Sequence, residues 1–188
     1  MSVIAFLVLL AAVAALRMVE LALSRRHQRE LAARGAKKVG DPRFRWMVAV
    51  HAGVLAGAAL EVVLLRRPLV PGLAAPMLAL FLAANAVRWW VIRTLGAHWN
   101  VQVMDSTRLG VVTSGPYRYV RHPNYAAVFV EMMALPLIHT AWLTALLGGA
   151  AHLWVLGERL ALEEKLLSAD ANYRAAMAGK PRFLPGLF

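Results

Sequence analysis

Gly115-Pro116-Tyr117-Arg118-Tyr119-Val120-Arg121-His122-Pro123-Asn124-Tyr125 gathers three tyrosines, two arginines, a histidine and an asparagine around two prolines, with apolar runs on either side. These side chains offer donors, acceptors and aromatic faces within one short turn. Pro123 has no N–H and biases His122 away from helical backbone. A helix is therefore expected to start here, its first N–H groups free to meet a ligand. From the turn alone, a polar cap at a membrane interface and a ligand-holding turn are equally consistent. Arg159, Glu163 and Glu164 form a second group downstream. Arg159 and Glu163, four apart, share a helix face, which alone is an ordinary ion pair contributing ~0.3–0.5 kcal/mol. The apolar residues just before Arg159 argue instead for a desolvated guanidinium that grips an anionic group, with a carboxylate near by for a cationic one.

Composition narrows the classes. Hydrophobic residues make up 60% of the 188 and the mean hydropathy is +0.57, which points to a membrane protein of one domain. The absence of cysteine excludes disulfides, thiolate nucleophiles and Cys-based metal sites, and the six histidines show no metal-ligand spacing, so no metal is expected. The formal charge of +11 sits in loops beside apolar runs, where it orients membrane helices, and no nucleic-acid partner is expected.

Apolar spans of the length needed to cross a bilayer are expected at 2–23, 46–65 and 73–92. A basic connector covers 24–45, and a polar irregular segment covers 93–124. An apolar pair follows at 125–138 and 141–156, then an amphipathic surface helix at 158–178 ended by Gly179-Lys180-Pro181. The tail 182–188 is apolar enough to dock back onto the body. His51, Glu61 and Arg88 fall inside spans, where they face the bundle, the interface or a cavity. The reading is an all-α bundle of about five transmembrane helices with a cytosolic C-terminal amphipathic helix. Residues 1–94 supply the first helices and 95–188 the catalytic half of one domain. The basic segments fall on one side, which the positive-inside rule makes cytoplasmic, with the N-terminus outside.

Gly115-Pro116-Tyr117, Arg121-His122-Pro123-Asn124-Tyr125, Arg159-Leu160-Ala161-Leu162-Glu163-Glu164, Tyr173 and Phe183-Leu184-Pro185-Gly186 together resemble the isoprenylcysteine carboxyl methyltransferase family, from Gln102 onward. The resemblance implies an integral membrane enzyme using S-adenosylmethionine without a Rossmann fold. It implies that Gln102, Leu109, Gly110, Val111, Val112, Tyr117, His122, Pro123, Asn124 and Tyr125 enclose the cofactor and that Glu163 contacts it, with Glu164 the fallback. Arg159 would orient the nucleophilic oxygen of a lipophilic or lipidated substrate arriving from the bilayer. The catalytic set is thus Arg159, Glu163 and Glu164. Ala176 and Met177 stand where the family's C-terminal helix often has a second tyrosine. Arg17-Met18-Val19-Glu20-Leu21, Ser24-Arg25-Arg26 and Arg34-Gly35-Ala36 resemble a bacterial branch associated with O-methylation of long-chain polyketide pyrones or resorcinols, which implies a bacterial inner membrane. N-methylation of a phospholipid headgroup is the alternative, and a non-catalytic scaffold or transporter ranks last because Glu61 and Arg88 draw no transbilayer path.

Overall fold

The computed structural model describes residues 1–184; the expectations for Pro185, Gly186, Leu187 and Phe188 lie outside the described residues. Ser2 caps α1 (Val3–Ala33), its hydroxyl accepting from the Ala5 N–H. The helix was expected to end near residue 23 but continues through Arg25 and Arg26. That stretch is built of good helix formers, Arg26 pairs with Glu30 one turn on at 2.8 Å, and no breaker occurs before Gly35. Gly35, at φ 89°, then turns the chain. Lys37 and Lys38 (β1) pair antiparallel with Met104 and Asp105 (β2), pinning the connector to the later loop. α2 is Phe44–Leu64, and α3 is Pro71–Leu95 with proline at its first turn. Three single 3₁₀ turns punctuate the loop that follows, before α4 (Pro123–Leu137), α5 (Trp142–Leu167) and α6 (Ala171–Met177).

Among the described residues three helices are long and apolar enough to cross a membrane, fewer than the about five expected. α4 has 15 residues, about 22 Å at ~1.5 Å per residue against a hydrocarbon core of ~30 Å. It forms a helical hairpin with α5 that packs on α2 and α3. The amphipathic helix expected at 158–178 is also corrected. Gly157 does not interrupt α5, which runs unbroken to Leu167; the break falls at 168–170, where Asp170 caps α6 by accepting from the Tyr173 N–H at 2.9 Å.

Charge lies inside this bundle and leucine outside. Leu64 and Leu147 are each 71% exposed, while Glu20 is 1% and Arg88 5% exposed. This inversion suits a lipid surround, where apolar side chains need no shelter and charges do. Glu20 takes two hydrogen bonds from Arg88, at 2.9 and 2.6 Å, and one from Arg17 at 2.7 Å. Arg17 also reaches Glu131 on α4 at 2.9 Å. Glu61 on α2 accepts from the Leu143 and Thr144 N–H groups at 3.1 and 2.7 Å, capping the start of α5 from a neighbouring helix. Close approach depends on glycine: a Cβ at Gly148 would sit 2.4 Å from Val54, and one at Gly149 2.5 Å from the Met133 sulfur. Phe6, Val62 and Ile138 share a cluster at the far end of the bundle, opposite the loop end that carries the polar residues.

Glu20→Gln removes the charge that Arg88 and Arg17 both lean on. It is expected to destabilise the bundle by about 3–5 kcal/mol, the usual cost of breaking a buried pair, seen as a lower thermal unfolding midpoint in detergent.

Candidate active site

At the loop end, one side chain draws four segments together. Arg159 on α5 is 5% exposed. Its Nε donates to the Tyr125 hydroxyl at 3.0 Å, its Nη1 to Asp41 at 2.7 Å and its Nη2 to the Val101 carbonyl at 2.7 Å. The expected partner four residues on, Glu163, is reached indirectly, because the Tyr125 hydroxyl donates to Glu163. Val101 is placed by its own N–H, which donates to Ser24 at 3.1 Å, and by His27, whose Nδ1–H donates to the adjacent Trp99 carbonyl at 2.8 Å. Asp41 escaped the sequence reading as a site residue. Its signal was the one acidic residue within Gly40-Asp41-Pro42, beside a buried arginine that needed a counter-charge.

Arg159, Tyr125, Val101 and Glu163 border a cavity of about 530 Å³. α5 shows its grading: His152, Val155 and Leu156 line the deeper part, Arg159 comes next, and Glu163 lines the loop end. Across from them lie Met18, Met47, Val48 and Leu55 of α1 and α2. Of the residues singled out from sequence, Gln102, Gly110, Val111, Val112, Tyr117, His122, Asn124, Tyr125, Arg159 and Glu163 line this cavity, whereas Leu109, Pro123 and Glu164 are not part of its lining. Gly110 has φ 113°, a left-handed backbone that favours glycine, and a Cβ there would meet nothing within 4 Å. Gly115 is needed twice over, since φ is 56° and a Cβ would lie 2.4 Å from the Thr94 hydroxyl. The turn is thereby pressed onto α3, which sets Tyr117 on the cavity wall.

Glu164 fastens the outside of the site. It holds Arg182 at 3.0 and 2.7 Å, accepts from His122 Nε2 at 3.2 Å and faces Arg121 at 3.3 Å. The backbone joins in: Arg121 N–H donates to the Pro181 carbonyl at 2.9 Å and His122 N–H to the Arg182 carbonyl at 2.8 Å. The described part of the tail therefore docks on the body, as its composition suggested. The Arg182 hydrogen bond holds the Glu164 carboxyl below the ordinary range, and burial lowers the His122 imidazole. Burial pushes Tyr117 well up and Tyr173 up to about 12, with Glu163 adding to both, so these phenols stay neutral. Among the described residues no cluster of His, Asp and Glu is arranged to hold a metal.

Two buried amide oxygens on the wall, Gln102 Oε1 and Asn124 Oδ1, have no partner among the described residues. With the Glu163 carboxylate and the Tyr117 and Tyr173 rings they make a set of acceptors and aromatic faces that fits a ligand bearing N–H and O–H groups beside a cation. A charge-inside helical bundle with long apolar helices and a cavity lined by both polar and apolar residues is that of a membrane-associated protein. Residues 77–169 match the model of the Isoprenylcysteine carboxyl methyltransferase (ICMT) family, and this match over part of the chain supports its assignment to that family. The match supports a general membrane-associated methyltransferase function and implies dependence on S-adenosylmethionine. The chain is 29% identical to the uncharacterized protein YpbQ of Bacillus subtilis (strain 168), over 86% of this chain and 96% of that one. An uncharacterized protein of Haemophilus influenzae (strain ATCC 51907 / DSM 11121 / KW20 / Rd) is also 29% identical, over 84% of this chain and 92% of its own.

Glu164→Gln is expected to loosen the tail, read as faster hydrogen exchange at the Arg121 and His122 amides. Acid does the same to the native chain. Glu164 has a folded value below its ordinary 4.5, so its stabilisation is complete above 4.5 and is lost as pH falls through the lower folded value.

Proposed function

We propose that this protein is an integral, multi-pass membrane enzyme that O-methylates a lipophilic acceptor at the cytoplasmic face of a bacterial inner membrane. The acceptor is an isoprenylcysteine-type carboxylate or the hydroxyl of a long-chain polyketide pyrone or resorcinol. The observation that carries this reading is the grading of the cavity along α5, from Val155 and Leu156 through Arg159 to Glu163. One end suits an apolar chain, the other a polar cofactor, and a buried guanidinium lies between them. Residues 1–94 then shape the acceptor side and 95–188 the cofactor side of a single domain.

Bound S-adenosylmethionine supplies an electrophilic methyl group on a sulfonium. The chain's residues do the positioning, which is most of what an in-line displacement requires. Glu163 accepts from amine or ribose hydroxyl groups, Gln102 and Asn124 offer their free amide oxygens, and the Tyr117 and Tyr173 rings face the cation. Gly110, Val111, Val112 and His122 close the remaining wall. Arg159 has five N–H groups and the protein uses three; the other two hold the acceptor oxygen as an anion. Asp41, Tyr125 and the Val101 carbonyl keep the guanidinium from swinging. A carboxylate acceptor needs no base. A hydroxyl acceptor gives up its proton along Tyr125, whose hydroxyl is bonded to Glu163. Glu164 serves the site from outside by holding the His122 turn to the tail.

The test is labelled S-adenosylmethionine with membranes containing the protein and four acceptors: a prenylated cysteine, an alkylpyrone, an alkylresorcinol and phosphatidylethanolamine. Label in one of the first three supports the proposal. Label only in phosphatidylethanolamine replaces it with N-methylation, and absence of saturable S-adenosylmethionine binding returns the chain to a scaffold or transporter. Arg159→Ala is expected to lower kcat/KM by about 10²–10³-fold, as for loss of an oxyanion donor. Glu163→Gln should weaken S-adenosylmethionine binding roughly tenfold or more, as for a lost charge-assisted hydrogen bond, in equilibrium binding with the labelled compound.

A further inference from the structure

The deeper part of the cavity holds two histidines for which the proposed methyl transfer has no use. His51 on α2 and His152 on α5 meet edge to face, ring centroids 5.6 Å apart and planes at 78°, and both line the cavity. His152 is 4% exposed, and neither of its ring nitrogens has a partner among the described residues. A buried polar atom left unbonded is costly, so such a placement calls for a partner. Its stacking on Phe129, at 6.2 Å and 28°, would be served as well by a phenyl ring. Packing alone therefore does not account for an imidazole at 152.

His51 specifies the chemistry of a partner. Its Nδ1 lies 2.7 Å from the Met47 carbonyl oxygen, which can only accept, so Nδ1 carries the hydrogen and donates. In a neutral ring Nε2 is then a bare acceptor that needs an O–H or N–H. Neutral His152 brings one donor and one acceptor of its own. A hydroxyl group bridges the two rings, donating to His51 Nε2 and accepting from the His152 N–H. A methylene chain satisfies neither, and a lone carbonyl only His152.

We infer that His51 and His152 form a second subsite of the cavity, one that recognises a hydroxyl group on the methyl acceptor. This rests on the reading of the cavity as an acceptor site, and it narrows the acceptor class. The molecule carries a hydroxyl besides the oxygen presented to Arg159. His152 precedes Arg159 by seven residues on α5, and its stacking partner Phe129 follows Tyr125 by four on α4, so the pair lies about 6–10 Å deeper than Arg159. Two hydrogen bonds of ~2.8 Å with one small ring between them cover that separation. The acceptor is then a dihydroxylated ring with a long apolar chain, in preference to an isoprenoid thioether whose tail has no hydroxyl.

The experiment compares a long-chain alkylresorcinol with the matched alkylphenol that lacks one ring hydroxyl, using the full chain in detergent or nanodiscs. Wild type is expected to favour the alkylresorcinol by about tenfold or more in kcat/KM, as a site built to bond a hydroxyl does. His51→Phe and His152→Phe should bring that ratio close to one, chiefly through a raised KM for the alkylresorcinol, with the dissociation constant for labelled S-adenosylmethionine unmoved. His152→Gln, which keeps a donor and an acceptor, should restore part of the preference. Equal kcat/KM for the two probes in wild type, or a preference that survives both phenylalanine variants, overturns the inference. If the variants do not fold, the wild-type comparison decides. If neither probe is methylated, thermal shifts decide: a larger shift with the alkylresorcinol, abolished in His152→Phe, upholds the subsite although the reaction assignment fails. Equal shifts sink the subsite as well.

Discussion

A guanidinium buried among apolar helices has to be satisfied by the protein, because the lipid offers nothing to bond with. Arg159 meets that demand with a carboxylate from the connector after α1, a carbonyl from the loop after α3 and a phenol from the start of α4. None of the three is close to Arg159 in sequence, so satisfying one side chain brings the polar ends of the bundle to a single point. The same rule recurs deeper in the bundle. Glu20 is shared between Arg17 and Arg88, and Glu61 satisfies the free N–H groups that open α5. Each unit holds helices from different parts of the chain in register, a task that hydrophobic contact performs weakly when the surroundings are equally apolar.

The cavity follows from how closely α5 approaches its neighbours. At Gly148 and Gly149 the helix presses against Val54 of α2 and Met133 of α4, closing the far half of the bundle. Toward the loop end the contact is looser: a Cβ at Gly157 would meet nothing within 4 Å. The stripe from His152 to Glu163 then faces open space instead of another helix. One continuous helix therefore carries the whole gradient from apolar to charged. Had α5 broken at Gly157, as its composition suggested, Arg159 and His152 would not share a wall.

The matched family segment, residues 77–169, contains the His122 turn, Arg159 and Glu163. Asp41, which anchors Arg159, and His51, Met18 and Leu55, which line the deeper cavity, all lie before it. Tyr173 and the tail that braces His122 lie after it. The segment with the polar machinery is thus completed from both sides, with Met18, Met47, Val48 and Leu55 of the first two helices adding apolar wall to the cavity.

The family resemblance implied that the His122 turn and Glu163 share a site, whereas the residues by themselves indicated a helical membrane class from hydropathy and a helix start at Pro123. These are local properties, fixed by side-chain polarity and by backbone angles that only certain residues adopt. Helix lengths at α1 and α5 were misjudged, because a basic run and a single glycine stop a helix only when nothing else supports it. Tertiary placement alone decided which charges meet. Arg159 bonding Asp41, Glu164 turning outward to Arg182, and His51 facing His152 all depend on how far apart the helix axes stand and how they are rotated. Periodicity names the face on which a residue lies; the neighbour across that face is set by the packing of the whole bundle.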